Sequence, residues 1–273
     1  MSESASAAPP SLVLVAKYPS ESSKTRLRPA LGHAGTVSFA MACLVDSLTR
    51  LATVTAGSGK EVKRYVLYAP ASAKEDFEGL LRTVPGDWKA VPMTDSTLRT
   101  SNLTGKLQGG LEVARTGGAG AVAFVGMDSP HLSAAEVSRA LTLSASESLG
   151  YIKPARDGGY MLISLPAAVG GEVFEGVEWS SEVTFATQIR QLCSRTEVRV
   201  GEVGFDIDSV ADLNSLHELV VQSSGLELKE CREFFKTYKP KDETKANPNV
   251  VLTALLLMGF TVGFAIGKAR YKR

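Results

Sequence analysis

The chain has 273 residues, 44% of them hydrophobic and 22% charged, a composition that supports a packed core and excludes a wholly disordered chain. Its formal net charge is +1, so the basic footprint of nucleic-acid-binding proteins is absent and we expect no nucleic-acid partner. The three cysteines lie far apart and outside any CxxC spacing, which indicates reduced core thiols rather than a disulfide framework.

Short apolar runs alternate with amphipathic stretches after a Ser/Ala/Pro-rich tail, residues 1–10, for which we predict disorder. Apolar runs are typical of strands buried on both faces, and apolar residues at helical spacing predict helices. The predicted strands cover residues 11–16, 62–68, 88–93, 121–125, 149–154, 160–165 and 198–203. The predicted helices cover residues 36–51, 74–84, 105–115, 133–146, 182–195, 209–222 and 226–238. Ser133 with Glu136 predicts a capping box at the fourth of these helices, and Ser209 with Asp212 opens the sixth with the same spacing. This alternation predicts an α/β fold with a mostly parallel central sheet, in one domain over residues 11–238.

The C-terminal part of the sequence contains an apolar stretch that begins at Val250, ends at Gly267 and carries no charge. As a helix, residues 250–267 are just long enough to cross a hydrocarbon core of about 30 Å. A charged linker over residues 239–249 precedes the stretch, and a basic stub over residues 268–273 follows it. We therefore predict one C-terminal transmembrane helix, in preference to a buried core helix.

This membrane helix would tie the domain to a membrane from its cytosolic side. A short span with a basic stub favours the mitochondrial outer or the peroxisomal membrane over the endoplasmic reticulum. Gly259, Gly263 and Gly267 recur at every fourth residue and share one helix face. That spacing could support a homodimer through close helix packing, although glycine is also common in spans that do not pair.

A cluster of cations follows the first predicted strand. Lys17, Lys24, Arg26 and Arg28 stand in one short segment, and open α/β sheets bind ligands beyond the carboxyl ends of their strands. Arginine offers a forked donor and lysine a compact charge, so the cluster suits a diphosphate. A solvated basic loop is the alternative interpretation.

Three aspartates stand where predicted elements change. Asp128 directly follows an apolar strand, and Asp206 and Asp208 lie two residues apart before a predicted helix. Carboxylates at such places can hold Mg²⁺ or Mn²⁺, which prefer oxygen ligands and bridge to substrate phosphates. Capping of a turn or of a helix N-terminus is the alternative role for each of them.

Paired glycines follow a fourth aspartate, Asp157, between two predicted strands. Gly158 and Gly159 permit positive φ or close approach of the backbone to a ligand, and Tyr160 begins the next strand. An ordinary hairpin turn, which Asp-Gly also favours, is the alternative.

The motifs AKYP and KTRL, then VGMDSP, ARDGGYMLISL, FEGVEWS and FDIDSVADL occur in this order along the chain. In this order the chain resembles a bacterial-type family of uncharacterised glycosyltransferase-like proteins, domain of unknown function 2064, over roughly residues 12–220. The family is placed in the nucleotide-diphospho-sugar transferase superfamily. The resemblance therefore implies a single GT-A-like, Rossmann-like domain that acts with Mg²⁺ or Mn²⁺ on a nucleotide or a nucleotide sugar.

The resemblance also implies roles for particular residues. The residues implied to bind substrate are Lys17, Lys24, Arg26, Lys106, Gly158, Gly159 and Tyr160. The residues implied to be catalytic are Asp128, Asp157 and Asp208. The residues implied to ligate the metal are Asp128, Asp206 and Asp208. Trp179 and Ser180 match a further family motif, in which we predict a packing role for the tryptophan.

We expect a metal-dependent transferase that moves a glycosyl group from a nucleotide sugar, or a nucleotidyl group to a phosphorylated acceptor. The first loop departs from the family, because it reads Ser20-Glu-Ser-Ser23 where relatives hold a Pro-Gly pair. This departure supports an alternative, a membrane-tethered binding module that kept the fold and lost turnover. A scaffold assembled by the membrane helix is a third reading, supported only by the glycine spacing.

Overall fold

Seven strands form one sheet in the computed structural model, which describes residues 8–57, 61–93, 103–223 and 225–238. The strands are β1 (Ser11–Lys17), β2 (Lys63–Ala69), β3 (Trp88–Pro92), β4 (Val122–Gly126), β5 (Gly150–Pro154), β6 (Tyr160–Leu165) and β7 (Val198–Val200). Their order in the sheet is β3-β2-β1-β4-β6-β5-β7. Strand β6 pairs antiparallel with β4 and β5, and the other pairs are parallel. The predicted α/β fold with a mostly parallel sheet is therefore confirmed.

The helices cover both faces of this sheet and agree in number and order with those predicted. They are α1 (Arg28–Leu51), α2 (Lys74–Leu81), α3 (Leu103–Thr116), α4 (Ala134–Ser146), α5 (Thr184–Cys193), α6 (Val210–Gln222) and α7 (Lys229–Thr237). Helix α1 begins at Arg28 rather than at residue 36, since a short helical piece precedes the predicted helix and joins it across a kink at Gly32. There φ is +69°, a conformation that glycine adopts without steric cost.

Alternate residues of the central strands pack on opposite faces of the sheet. In β1, Leu12 and Leu14 belong to the core beneath α1, α2 and α4, whereas Val13 belongs to the core beneath α3 and α5. All three side chains are buried, as expected for a parallel strand covered by helices on both sides. A third apolar cluster joins α1 to α6 and α7, with Phe39 and Phe235 among its members.

Helix α7 is held to α1 by a buried carboxylate. Asp46 of α1 accepts hydrogen bonds from the backbone N–H groups of Glu230 at 3.0 Å and Cys231 at 2.8 Å. Burial raises the pKa of Asp46, although these two bonds oppose the shift. The carboxylate thus satisfies two of the amides that a helix leaves without partners at its N-terminus.

Of the two capping boxes suggested by sequence spacing, one forms. Ser209 and Asp212 make the reciprocal bonds at the start of α6. Ser133 precedes α4 but makes no side-chain capping bond, so that prediction is wrong. Glu136, its expected partner, instead accepts a hydrogen bond from Lys153 Nζ at 3.0 Å. A largely buried ammonium attracts a carboxylate more strongly than a neutral amide does.

One described helical stretch, Thr25–Leu51, is long and apolar enough to span a membrane, but half of it is buried inside the domain. Its side chains Phe39 and Leu44 are fully buried in the core, as in the core helix of a folded domain. The predicted span over residues 250–267 lies outside the described residues and stays a prediction. So do the predictions for residues 1–7, for the linker and the basic stub, and for the glycine face of the span.

Candidate active site

Three chain segments meet at the carboxyl end of β1 and β4. The first is the loop that follows β1, the second carries Asp128 just beyond β4, and the third carries Asp208 just before α6. The second and third are joined by a backbone hydrogen bond, from Ile207 N to the carbonyl oxygen of Asp128 at 3.0 Å. Residues distant in sequence are thus brought together beyond the strand ends, the usual ligand position in open α/β sheets.

Lys24 is the centre of this junction. Its Nζ lies 2.5 Å from Asp128 Oδ1 and 3.2 Å from Asp208 Oδ1, and it donates to the carbonyl oxygen of Ile207 at 2.5 Å. The side chain of Lys24 is only 6% exposed, whereas each of the two aspartates is 47% exposed. Three of the four segments predicted from sequence to carry the chemistry are therefore joined by one ammonium group.

The loop around Lys24 is ordered by serine side chains. Ser20 N donates to Ser23 Oγ at 2.9 Å, and the hydroxyls of Ser20 and Ser22 share a hydrogen bond of the same length. Lys24 itself has φ +48°, a left-handed conformation that is unfavourable for residues with a Cβ. The serine-rich sequence thus builds a defined turn just before Lys24.

Three further cations line a cavity of about 530 Å³ beside this junction, namely Lys17, Arg26 and Lys106. Within the described residues none of the three is ion-paired with a carboxylate. Unneutralised cations around a cavity favour an anionic ligand, and guanidinium and ammonium groups together suit phosphate oxygens. The predicted substrate cations are thus brought together on one side of Asp128 and Asp208.

A larger cavity, of about 850 Å³, adjoins the first and shares Lys17, Arg26, Asp128 and Asp208 with it. Its other lining residues include Phe124, Asp157, Gly159, Tyr160, Trp179, Ser180, Ser181, Glu182, Thr184 and Asp206. The two cavities form one cleft with a cationic and an acidic-aromatic chamber, and the carboxylates of Asp128 and Asp208 lie where they meet.

Asp206 is the most perturbed carboxyl group of the cleft. Burial, followed by repulsion from Asp157 and Asp208, raises its pKa to about 6. An aspartate with such a pKa holds a proton more readily than usual, yet is mostly ionised at neutral pH. Asp157 is exposed, and its Oδ1 accepts a hydrogen bond from Gly159 N at 2.8 Å, as in a hairpin turn. Asp157 also lines the larger cavity, so it has both of the roles considered for it.

The paired glycines have different roles. Gly158 has φ +89°, and a Cβ on it would lie 2.1 Å from the carbonyl oxygen of Glu182. Its missing side chain makes room for the protein's own backbone, and Gly158 does not line either chamber. Gly159 and Tyr160 do line the larger chamber, but the Tyr160 hydroxyl donates to Gln188 at 3.1 Å, which leaves the ring rather than the hydroxyl for a ligand.

Two carboxylates, rather than the predicted three, suit a divalent ion. Within the described residues no group of three or more Asp, Glu, His or Cys side chains has the proximity of a metal site. Asp128 and Asp208 do converge on a single cation, the Lys24 ammonium. Their half-exposed oxygens are the hard donors that Mg²⁺ and Mn²⁺ prefer, and such ions usually keep several waters. The pair therefore fits the ion chemically, whereas Asp206 is not grouped with it.

Several cleft residues give no signal in the sequence. The Ile207 carbonyl, the third acceptor for Lys24, is a backbone atom that no side-chain motif marks. Trp179 donates from Nε1 to Thr104 Oγ1 at 2.8 Å and lies 6.3 Å from the ring of Tyr160, so it combines the predicted packing with a place in the cleft wall. Trp179 and Thr104 of α3 are far apart in the chain, and long-range packing brings them together.

A family described as "Uncharacterized protein conserved in bacteria (DUF2064)" matches residues 53–181. No curated protein matches the chain. A solved structure from Desulfovibrio desulfuricans G20, provisionally assigned as a nucleotide-diphospho-sugar transferase, has 24% identity and a TM-score of 0.68. That match covers 83% of this chain and 96% of the other.

Two other solved structures are less similar. A CMP:2-keto-3-deoxy-manno-octonic acid synthetase complexed with CTP has 14% identity and a TM-score of 0.49, over 78% of this chain and 99% of that one. Rv0371c from Mycobacterium tuberculosis H37Rv, complexed with manganese, has 15% identity and a TM-score of 0.42, over 76% and 98%. Neither of these two similarities indicates a function for this chain. The similarity to the Desulfovibrio structure shows the fold alone.

The family match includes Asp128 and Asp157 and ends before the segment that carries Asp206 and Asp208. Over residues 53–181 the chain matches the DUF2064 family, and the resemblance predicted from its motifs is confirmed.

Proposed function

We propose that this chain is a transferase that uses a nucleotide-activated substrate. The observation that carries the proposal is the junction of Lys24 with Asp128 and Asp208 at the strand ends. Beside it lies a chamber lined by cations that form no ion pair with any residue the structure describes. The fold it shares with a structure provisionally assigned as a nucleotide-diphospho-sugar transferase is consistent with this. Both glycosyl transfer from a nucleotide sugar and nucleotidyl transfer fit the cleft.

The cationic chamber would hold the phosphates of the donor. Lys17, Arg26 and Lys106 line it and have no carboxylate partner among the described residues. Their charges would neutralise the negative charge that builds on the leaving phosphate. Asp128 and Asp208 would hold Mg²⁺ or Mn²⁺, which would supply Lewis-acid stabilisation of the same phosphate oxygens. The donor would thus lie on the side of the cleft that carries Lys24 and Lys106.

The acidic-aromatic chamber would hold the acceptor. An acceptor hydroxyl would bond to the anomeric carbon of a sugar or to the α-phosphorus of a nucleotide. The bond to the leaving phosphate would break, releasing a nucleoside diphosphate or pyrophosphate respectively. The hydroxyl proton would pass to a carboxylate in this chamber, for which Asp157 and Asp206 are the candidates. The raised pKa of Asp206 suits a proton acceptor at neutral pH.

The location of the activity follows from the predicted anchor. Residues 250–267 would hold the domain at a membrane surface, with the cleft in the cytosol and its nucleotide pool. The mitochondrial outer or peroxisomal membrane is preferred to the endoplasmic reticulum. Imaging of a fluorescent fusion, with and without residues 250–267, tests this location. A diffuse signal from the full chain would overturn it.

Product release tests the proposed reaction. The purified full chain in mild detergent is incubated with Mn²⁺ and a panel of nucleoside triphosphates and nucleotide sugars, together with phosphorylated and hydroxyl acceptors. We expect release of pyrophosphate or of a nucleoside diphosphate that is lost in Asp208→Asn. Tight nucleotide binding with no turnover across the panel would favour the binding-module alternative.

A further inference from the structure

The ammonium group of Lys24 has its full complement of hydrogen bonds. A lysine has three N–H donors, and Nζ has three oxygens within reach: Asp128 Oδ1 at 2.5 Å, Asp208 Oδ1 at 3.2 Å and the Ile207 carbonyl at 2.5 Å. The side chain is 6% exposed, so water does not compete for these donors. Lys24 is therefore held in this position by three oxygen partners.

The charge of this lysine is also secure. A lysine side chain is ordinarily cationic at neutral pH, and Asp128 and Asp208 both lie within ion-pair distance of Lys24 Nζ. The two carboxylates consequently face a permanent positive charge at physiological pH. One of their two negative charges is therefore balanced before any ligand binds.

The backbone holds Lys24 in this position as well. The left-handed φ of +48° at Lys24 directs the side chain out of a turn that the serine hydroxyls fix. Immediately afterwards Leu27 N donates to the Lys24 carbonyl at 2.8 Å, which starts the short helical turn leading to α1. An unfavourable backbone conformation persists only where its surroundings determine it.

A divalent ion ligated by Asp128 and Asp208 would need the space between their oxygens. Mg²⁺ requires oxygens at about 2.0–2.1 Å, and an ammonium nitrogen already in contact with both Oδ1 atoms blocks that approach and repels the ion. We propose that Lys24 is the resident cation of this two-carboxylate position, so that a divalent ion binds there only in exchange for the Lys24 ammonium. The inference rests on the proposed function, since it describes how that site takes its ion.

The exchange couples the ion to the anionic substrate. Lys24 lines the same chamber as Lys17 and Arg26, so its ammonium can move from the carboxylates to a phosphate group without leaving the cleft. A phosphate that draws Lys24 away frees Asp128 and Asp208 for the ion. Without substrate, the lysine keeps the site closed to free divalent ions.

Metal titration without nucleotide tests the exchange directly. Mn²⁺ binding to the full chain in mild detergent is followed by electron paramagnetic resonance of the free ion. We expect Lys24→Met to bind one Mn²⁺ at least tenfold more tightly than the unmodified chain. Lys17→Met removes a positive charge from the same chamber without freeing the carboxylates, and we expect its affinity to change less than threefold. Lys24→Gln keeps a polar head group and replaces the methionine variant if that variant fails to fold.

The outcomes separate this inference from the proposed function. Equal Mn²⁺ affinity in the unmodified chain and in both Lys24 variants would overturn the exchange, as would an equal gain in Lys17→Met. Asp208→Asn combined with Lys24→Met should return binding to the weak level, which ties the gained site to that carboxylate. Nucleotide binding is measured separately, and its absence would count against the proposed function without altering the metal titration.

Discussion

Ile207 donates a backbone hydrogen bond to the carbonyl oxygen of Asp128 at 3.0 Å. This bond joins the end of β4 to the segment before α6, and it sets Asp208 beside Asp128 independently of their side chains. Because the capping box of Ser209 and Asp212 fixes the following helix, the segment is held from both sides. The two carboxylates are thus positioned before a ligand arrives, which reduces the ordering cost of binding.

The first prediction is that Asp128→Asn and Asp208→Asn each weaken nucleotide binding in Mn²⁺ at least tenfold, about 1.4 kcal/mol. The double variant should lose less than the sum, because both carboxylates act on the same ion and the same lysine. When EDTA replaces Mn²⁺, each variant should bind nucleotide as tightly as the unmodified chain or more tightly. Without the ion, the substitution only removes repulsion between a carboxylate and the phosphates. Titration calorimetry of all four proteins measures this cycle, and strictly additive losses would contradict a shared site.

The second prediction concerns the close approach at Gly158. Gly158→Ala should cost about 2–5 kcal/mol of unfolding free energy, from the left-handed φ and from the overlap with the Glu182 backbone. Gly109→Ala is the matched control, because a Cβ at Gly109 in α3 meets nothing within 4 Å and should stabilise the helix by about 0.5–1 kcal/mol. Urea denaturation compares the two. A similar change in unfolding free energy at both positions would contradict the close approach of the Glu182 backbone to Gly158.

The third prediction concerns the bond between α1 and α7. Asp46→Ala should cost about 2–4 kcal/mol, because the backbone amides of Glu230 and Cys231 would lose their acceptor in a buried place. Glu218→Ala, on the exposed face of α6, should change stability by no more than about 0.5 kcal/mol. Hydrogen exchange at the first turn of α7 should rise in Asp46→Ala alone. Unchanged protection there would show that the carboxylate does not hold the helix.

The fourth prediction is a pH dependence set by Asp206. Burial and the charges of Asp157 and Asp208 raise its pKa to about 6, so the folded chain binds more protons than the unfolded chain between about pH 4 and pH 6. Its contribution to stability is therefore present at low pH and lost as pH rises through 6. Asp206→Asn should be more stable than the unmodified chain by about 1–2 kcal/mol at pH 8, after allowance for partial exposure.

At pH 4.5 that difference should nearly disappear. Urea unfolding at both pH values, in matched ionic strength, checks the sign and the size. A stability difference that does not depend on pH would show that Asp206 titrates normally in the folded chain.

The fold and part of the cleft were predictable from local pattern. Continuous apolar runs such as the one ending before Asp128 predict buried parallel strands, and the end of such a strand predicts where a ligand lies. The helix start near Gly32 and the absence of a capping bond from Ser133 were not predicted. A glycine kink and a competing buried lysine, Lys153, act through conformation and tertiary contact, which hydrophobic periodicity does not record.

The organisation within the cleft was not predictable in the same way. Lys24 was expected to contact phosphates, but its ion pairs with Asp128 and Asp208 depend on a turn built by serines that look like ordinary loop residues. Gly158 was expected to admit a ligand, and it instead admits the backbone of Glu182. Both outcomes arise from contacts between segments far apart in the chain, about which sequence spacing carries no information.

Binding of a nucleotide is the measurement that tests the central claim most directly. The full chain in mild detergent is heated with nucleoside diphosphates, nucleoside triphosphates and nucleotide sugars, with and without Mn²⁺, while the tryptophan fluorescence is followed. A ligand at 100 times its Kd stabilises the folded state by about 2.7 kcal/mol. We therefore expect at least one nucleotide to raise the unfolding temperature by several degrees, and Asp128→Asn to abolish the Mn²⁺-dependent part of the rise. No shift with any nucleotide would contradict the account.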